Sequence, residues 1–146
     1  MIRRLACALF MACLAGLAGA AERTVRPGES IQAAIDRAAP GDTLRVQRGR
    51  YVENLRIAKA LTLLGEDRPT LSGGLKGDTI RVAAAGVTID GFIVADSGGD
   101  LLAQNAGIYI EAGADGAAVR HCTFSYTLFG LWIEKVKGVE VSHNVI

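Results

Sequence analysis

The sequence is short of the residues that staple, anchor or charge a chain. It holds three cysteines in 146 residues, and two of them, Cys7 and Cys13, fall in the first 20. Cys122 is then alone and cannot form an internal bridge, which excludes a disulfide scaffold. Charge of one sign is missing too. The chain carries 16 basic and 15 acidic residues, and losing Arg3 and Arg4 with a leader would leave 14 against 15. That balance points away from nucleic acid. No Ser-His-Asp, CxxC, P-loop or GxGxxG arrangement is present, so no linear motif argues for catalysis. The long apolar run, Leu5 to Leu17, follows Arg3 and Arg4 and precedes Ala18-Gly19-Ala20. It is too short for a membrane-spanning helix and reads as a signal peptide over residues 1–20, with the exported chain starting near Ala21. A lipid anchor at Cys13 is the rival, although Phe10-Met11-Ala12 makes a poor lipobox.

What the sequence does contain is repetition. GVTIDGFIV begins at Gly86, GAAVRHCTF at Gly116 and GVEVSHNVI at Gly138, the last ending with the chain at Ile146. GIYIE at Gly107 and GLWIE at Gly130 interleave with them, and the two phrases advance by 22 and 23 residues. Short alternating strands with glycine turns at such a period mark a solenoid. The fold class is all-β: a right-handed parallel β-helix whose coils occupy residues 41–146 and whose last coil is incomplete. GDTLRV at Gly41 returns as GDTIRV at Gly77, and LTLLG at Leu61 matches VTIDG at Val87. Residues 21–40 supply an N-terminal segment and one capping α-helix, SIQAAIDRA, with Ser30 as N-cap, an apolar stripe of Ile31, Ala34, Ile35 and Ala38, and Pro40-Gly41 as the stop. Asp96 to Asn105, with its Gly98-Gly99 pair, is expected to protrude as a loop.

Alternation assigns faces. Val87, Ile89, Val119, Val139 and Val141 point inward, and Thr88, Asp90, Arg120, Glu140 and Ser142 point outward. Equivalent residues stack about 4.8 Å apart. Phe92, Cys122 and Asn144 then share a rung, as do Phe124 and Ile146.

The same bookkeeping nominates functional residues. His121 and His143 become neighbours, a pair that clamps copper or zinc or else two solvated turn residues. Cys122 reads as a small buried filler. Tyr109 stacks on Trp132 and Glu111 on Glu134, all outward, while Ile108, Ile110, Leu131 and Ile133 fill the core. Six of the eight aromatic residues lie between Phe92 and Trp132. This flank could bind a sugar ring, a cation or a partner protein, or be an ordinary cross-strand pair beside glutamates screened by water or by Lys135 and Lys137. Asp90, Asp96, Asp100 and Asp115 are scattered, whereas a lyase needs carboxylates clustered for calcium and a nearby base.

SIQAAIDRAAPGDTLRVQRGRYVENLRI resembles the opening of pectin-lyase-like β-helix proteins. SGGDLLAQNAGIYIE followed by YTLFGLWIEKVKGVEVSHNVI is similar to the periplasmic NosD family of CASH-class β-helices, the maturation proteins of nitrous-oxide reductase, and the resemblance extends over essentially the whole exported chain. It implies a non-enzymatic periplasmic accessory protein that works with ABC transporter components and the reductase while its copper-sulfur centre is assembled, copper being implied by the family and not by a motif. It also implies that the chain is the N-terminal part of a longer one. The competing readings are an exported carbohydrate-active enzyme on the same fold, a polysaccharide lyase or uronate epimerase, and a structural surface β-helix.

Overall fold

The described residues form fourteen short strands and one helix, and each strand pairs in parallel with its equivalent one coil away. The computed structural model describes residues 19–146; the expected signal peptide, all but its last two residues, and Cys13 lie outside them. The first sheet stacks β1 (Glu22–Val25), β2 (Thr43–Val46), β5 (Thr62–Gly65), β8 (Thr88–Asp90), β11 (Ala118–Arg120) and β14 (Glu140–Ser142) in that order. The second stacks β3 (Arg50–Val52), β6 (Thr70–Ser72), β9 (Ile93–Ala95) and β12 (Thr123–Ser125). The third stacks β4 (Leu55–Ile57), β7 (Ile80–Val82), β10 (Ala106–Ile110) and β13 (Phe129–Ile133). From β2 to β13 four coils each contribute one strand to each of three sheets, with β1 and β14 extending the first sheet at its two ends, which is a parallel β-solenoid. Thr43, Thr62, Thr88, Ala118 and Glu140 share one register, so successive coils hold 19, 26, 30 and 22 residues.

The core is a set of columns running through the coils. Leu44, Leu63, Ile89 and Val119 stack beneath the first sheet, and all are fully buried. Leu55, Ile80, Ile108 and Leu131 stack in the third sheet, the first three buried and Leu131 partly so. Each fully buried aliphatic side chain contributes about 1.5–3 kcal/mol, and the columns multiply that gain coil by coil. Two positions expected to point inward are less covered: Ile133 is 45% and Val141 44% exposed. Phe92 and Cys122 are buried on their shared rung. Asn144, the next member, turns its amide inward, where Oδ1 accepts from the Cys122 amide at 2.8 Å and Nδ2 donates to the Val119 carbonyl at 2.9 Å.

The helix α1 (Ile31–Arg37) closes the other end as its stripe predicts. Ile31, Ala34 and Ile35 are buried, and the Ser30 hydroxyl accepts from the Ala33 amide. Glu53, in the turn after β3, adds a second cap by accepting from the Ile31 amide at 2.8 Å, the Gln32 amide at 3.0 Å and the Ser30 hydroxyl at 2.9 Å. Its carboxylate also meets the positive end of the helix dipole. Gln32 guards the sheet edge: its Oε1 accepts from the Arg56 amide and its Nε2 donates to the Arg56 carbonyl. Outer backbone groups of β4 that would otherwise template another strand are thus satisfied by a side chain. Lys59 donates to the Asp36 and Ala38 carbonyls at the helix C-terminus.

Two details differ from the expectation. GDTLRV and GDTIRV are not equivalent: the first forms β2 in the first sheet and the second forms β7 in the third, where Ile80 is in register with Leu55. A shared local phrase specified strands but not which side of the coil they occupy. The first sheet also begins before Gly41, since β1 pairs with β2 from Glu22 to Val25. Buried Asp42 ties this start down by accepting from the amides of Ala21 and Ala39, and those two bonds hold its carboxyl below the usual aspartate range. The 96–105 segment is a loop as expected. Asp100 accepts from the amides of Leu102 and Ala103 at its tip, and Leu102 stands 96% exposed.

Candidate functional site

The outer face of the third sheet carries the densest arrangement of charged and aromatic groups. Register stacks Arg56, Arg81, Tyr109 and Trp132 in one outward column. Strand alternation puts them there, since each sits between two inward aliphatic residues. The Arg81 guanidinium lies over the Tyr109 ring, its Cζ 4.1 Å from the centroid, a cation–π contact. Trp132 packs at a tilt against Phe129 with centroids 5.0 Å apart. Tyr109 is therefore outward but only 7% exposed. The external aromatic step expected from Tyr109 and Trp132 is half covered, because Arg81 from the preceding coil occupies the space above the tyrosine.

Glu111 and Glu134 flank this column. Glu111 accepts from Arg56 Nη1 at 2.8 Å and from Arg81 Nη1 at 3.2 Å, while Arg81 Nε and Nη2 bond Asp78 at 2.9 and 2.6 Å. The second oxygen of Asp78 accepts from the Ala106 amide at 2.8 Å. Glu134 accepts from the Tyr109 hydroxyl at 3.0 Å. The bond from Arg56, seconded by Arg81, holds the Glu111 carboxyl below its ordinary value. Burial works against the Arg81 charge, but its bonds to Asp78 and Glu111 outweigh that and raise its value. Burial, with Glu134 behind it, raises the Tyr109 phenol. The partners of Glu111 are thus two arginines from earlier coils and not Lys135 or Lys137. Beside the network a cavity of about 380 Å³ is lined by Arg56, Lys76, Asp78 and Arg81 among others. Each of Glu111, Asp78 and Glu134 has a donor, so the face is held in order by its own hydrogen bonds. Arg56, Arg81 and Asp78 escaped the sequence reading. Their signal was the shared Leu-Arg-Ile and Ile-Arg-Val pattern of residues 55–57 and 80–82, obscured by matching GDTIRV to the wrong phrase.

The corner between the first and second sheets holds the histidine pair. His121 and His143 stack with ring centroids 5.1 Å apart and planes 21° from parallel. Nδ1 of His121 is 2.9 Å from Asp90 Oδ1. Imidazole lone pairs lie in the ring plane, so stacked rings present them side by side and not toward a common point. Among the described residues no group of three or more His, Cys, Asp or Glu side chains is placed to hold a metal ion. The fit to a copper or zinc first shell therefore stops at two imidazoles. Both histidines adopt left-handed backbone, φ 50° and 56°, which histidine tolerates better than most residues. Arg120 forks onto Glu140 at 2.8 and 2.6 Å. Cys122 beside it is buried, donates to the Arg120 carbonyl, and has its thiol pushed up by that burial, which makes it a poor nucleophile. The four aspartates stay apart: Asp90 faces His121, Asp96 meets Ser72 and Arg50, Asp100 caps its own loop, and Asp115 accepts from the Lys137 amide.

Three parallel sheets and a capped first coil define a β-solenoid. The chain is 31% identical over 98 residues to a protein of Pseudomonas aeruginosa named Probable ABC transporter binding protein NosD. It is a NosD homologue. The matched stretch is 67% of this chain and 23% of that protein, so the chain spans about a quarter of the curated relative it matches. No family model matches the chain, and no solved structure matches it. Among the described residues no helix is long and apolar enough to cross a membrane.

Proposed function

We propose that this protein is an exported, periplasmic accessory protein that acts with an ABC transporter during assembly of the copper-sulfur centre of nitrous-oxide reductase. The observation that carries the proposal is the 31% identity to the NosD-named protein over a stretch covering 67% of the chain. The outer faces support it. Rows of guanidinium, aromatic and carboxylate groups held in mutual contact suit the docking of another protein at low ordering cost. The role is non-enzymatic, and copper enters as cargo of the pathway. The test is complementation of a deletion strain with the full-length gene, read as nitrous-oxide reduction and as the copper-sulfur centre spectrum of the purified reductase. Loss of both in the deletion strain and their return on complementation is the expected result. A normal centre assembled without the gene would sink the proposal.

A further inference from the structure

Two residues before each strand of the second sheet, the chain turns the corner from the first sheet. Arg50, Thr70, Ile93, Thr123 and Val145 share one register. Counting back two residues places Arg48, Arg68, Gly91, His121 and His143 at one corner position in successive coils. Four of these five have left-handed backbone, with φ of 56° at Arg68, 84° at Gly91, 50° at His121 and 56° at His143. Geometry alone would favour glycine or asparagine there. The occupants are basic instead, apart from Gly91, so the corner is a ladder of positive and proton-accepting groups with one gap.

At the end of the ladder nearer the helix, Arg48, Arg50 and Arg68 line a cavity of about 470 Å³ with Asp67 and Thr70. Arg50 is paired to Asp96 at 2.9 Å, and Arg68 donates from Nη2 to the Thr123 hydroxyl two coils away, passing the gap at Gly91. Among the described residues neither Arg48 nor Arg68 is within salt-bridge distance of a carboxylate. Arg48 and Arg68 both line the cavity from adjacent coils, and Asp67 supplies the single acid of that lining. Setting Arg50 against Asp96 leaves two positive groups facing one negative one. Asp67 and Arg68 are also consecutive residues with left-handed backbone, φ 53° and 56°, a costly arrangement of the kind found at functional sites.

We propose that this cavity is a binding site for a small oxyanion, gripped by the forked N–H donors of Arg48 and Arg68 with the Thr70 hydroxyl at its wall. Guanidinium matches the paired oxygens of sulfate, phosphate and carboxylate, and an oxyanion would supply the negative partner that Arg48 and Arg68 lack. The site is independent of the third-sheet face and of the role in reductase maturation.

Calorimetric titration of the purified full chain with sodium sulfate, sodium phosphate and sodium malonate, each against chloride at matched ionic strength, tests the site. One saturable site per chain for at least one of the three, and none for chloride, is expected. Preference for sulfate or phosphate identifies a free tetrahedral ion as the natural ligand; preference for malonate identifies a carboxylate. Arg48→Ala and Arg68→Gly should each weaken binding at least tenfold, and Arg37→Ala on the helix should not. Glycine accepts the left-handed backbone at position 68, so Arg68→Gly removes the charge without straining the fold, which circular dichroism checks. Absence of saturable binding by all three anions, or affinity within twofold of wild type in either cavity variant, overturns the proposal.

Discussion

Replacing Glu53 by alanine should loosen the helix that closes the first coil. Its carboxylate accepts three hydrogen bonds, from the Ile31 and Gln32 amides and the Ser30 hydroxyl. In a buried setting each bond to a charged group is worth about 1.5–3 kcal/mol. Here the sites are partly exposed, so water recovers much of that for the freed donors. The Ser30 bond to the Ala33 amide survives and retains one cap, itself worth about 1 kcal/mol. Adding the lost dipole interaction of about 0.3–1 kcal/mol gives a net cost of about 2 kcal/mol. At roughly 4 °C per kcal/mol for a domain of this size, Tm should drop by about 8 °C. Urea unfolding followed by circular dichroism should show a lower midpoint with an unchanged slope. Glu53→Gln should fall between the two, since an amide accepts through one oxygen only. Because α1 also seats Gln32 on the Arg56 backbone, a loosened helix uncovers the edge of β4 and should raise aggregation near Tm. A Glu53→Ala shift under about 0.5 kcal/mol, the size expected of an ordinary surface change, would refute the capping argument.

Other consequences are as direct. Phe92→Ala empties a fully buried position and should cost about 3–5 kcal/mol in urea unfolding, while Tyr126→Ser, at a site 86% exposed, should stay within about 0.5 kcal/mol. Gly65→Ala would put a Cβ 2.5 Å from the Gly91 carbonyl oxygen and 2.8 Å from Pro69 Cδ, and should cost at least about 1–3 kcal/mol; Gly99→Ala, with nothing within 4 Å, is the matched control. The carboxyls of Glu111 and Asp96 have folded-state values below their ordinary 4.5 and 3.8, Glu111 chiefly through Arg56 and Asp96 chiefly through the Ser72 hydroxyl. Their contribution is thus complete above those ordinary values and is lost as pH falls through the lower folded ones. The urea midpoint should decline below about pH 4.5, and Glu111→Gln should flatten that decline; an identical profile would remove Glu111 from the account.

Much of the solenoid was legible because its determinants are local. A two-residue alternation fixes which side chains face inward, and a repeated phrase fixes which of them stack, so Val119 over Ile89 and Trp132 over Tyr109 follow from counting. The helix was legible for the same reason, with Ser30 and the Ile31, Ala34, Ile35 stripe adjacent in the chain. Matching phrases failed where two strands share a pattern but lie on different sides of a coil, as with β2 and β7. Turn lengths decide that, and alternation is silent about them.

The sequence by itself determined the strand faces, the capping helix, the 96–105 loop and the meeting of His121 with His143. Only the tertiary structure decided what stands beside each of them. Arg81 covers Tyr109, Arg56 reaches Glu111 across 55 residues, and Glu53 caps a helix 21 to 23 residues before it. Stacking converts distances along the chain into neighbours one coil apart, but long side chains reach diagonally to a second coil or back across a turn. Their partners are set by coil length and by rotamer, which depend on how the three sheets close around the core and not on any short stretch of sequence.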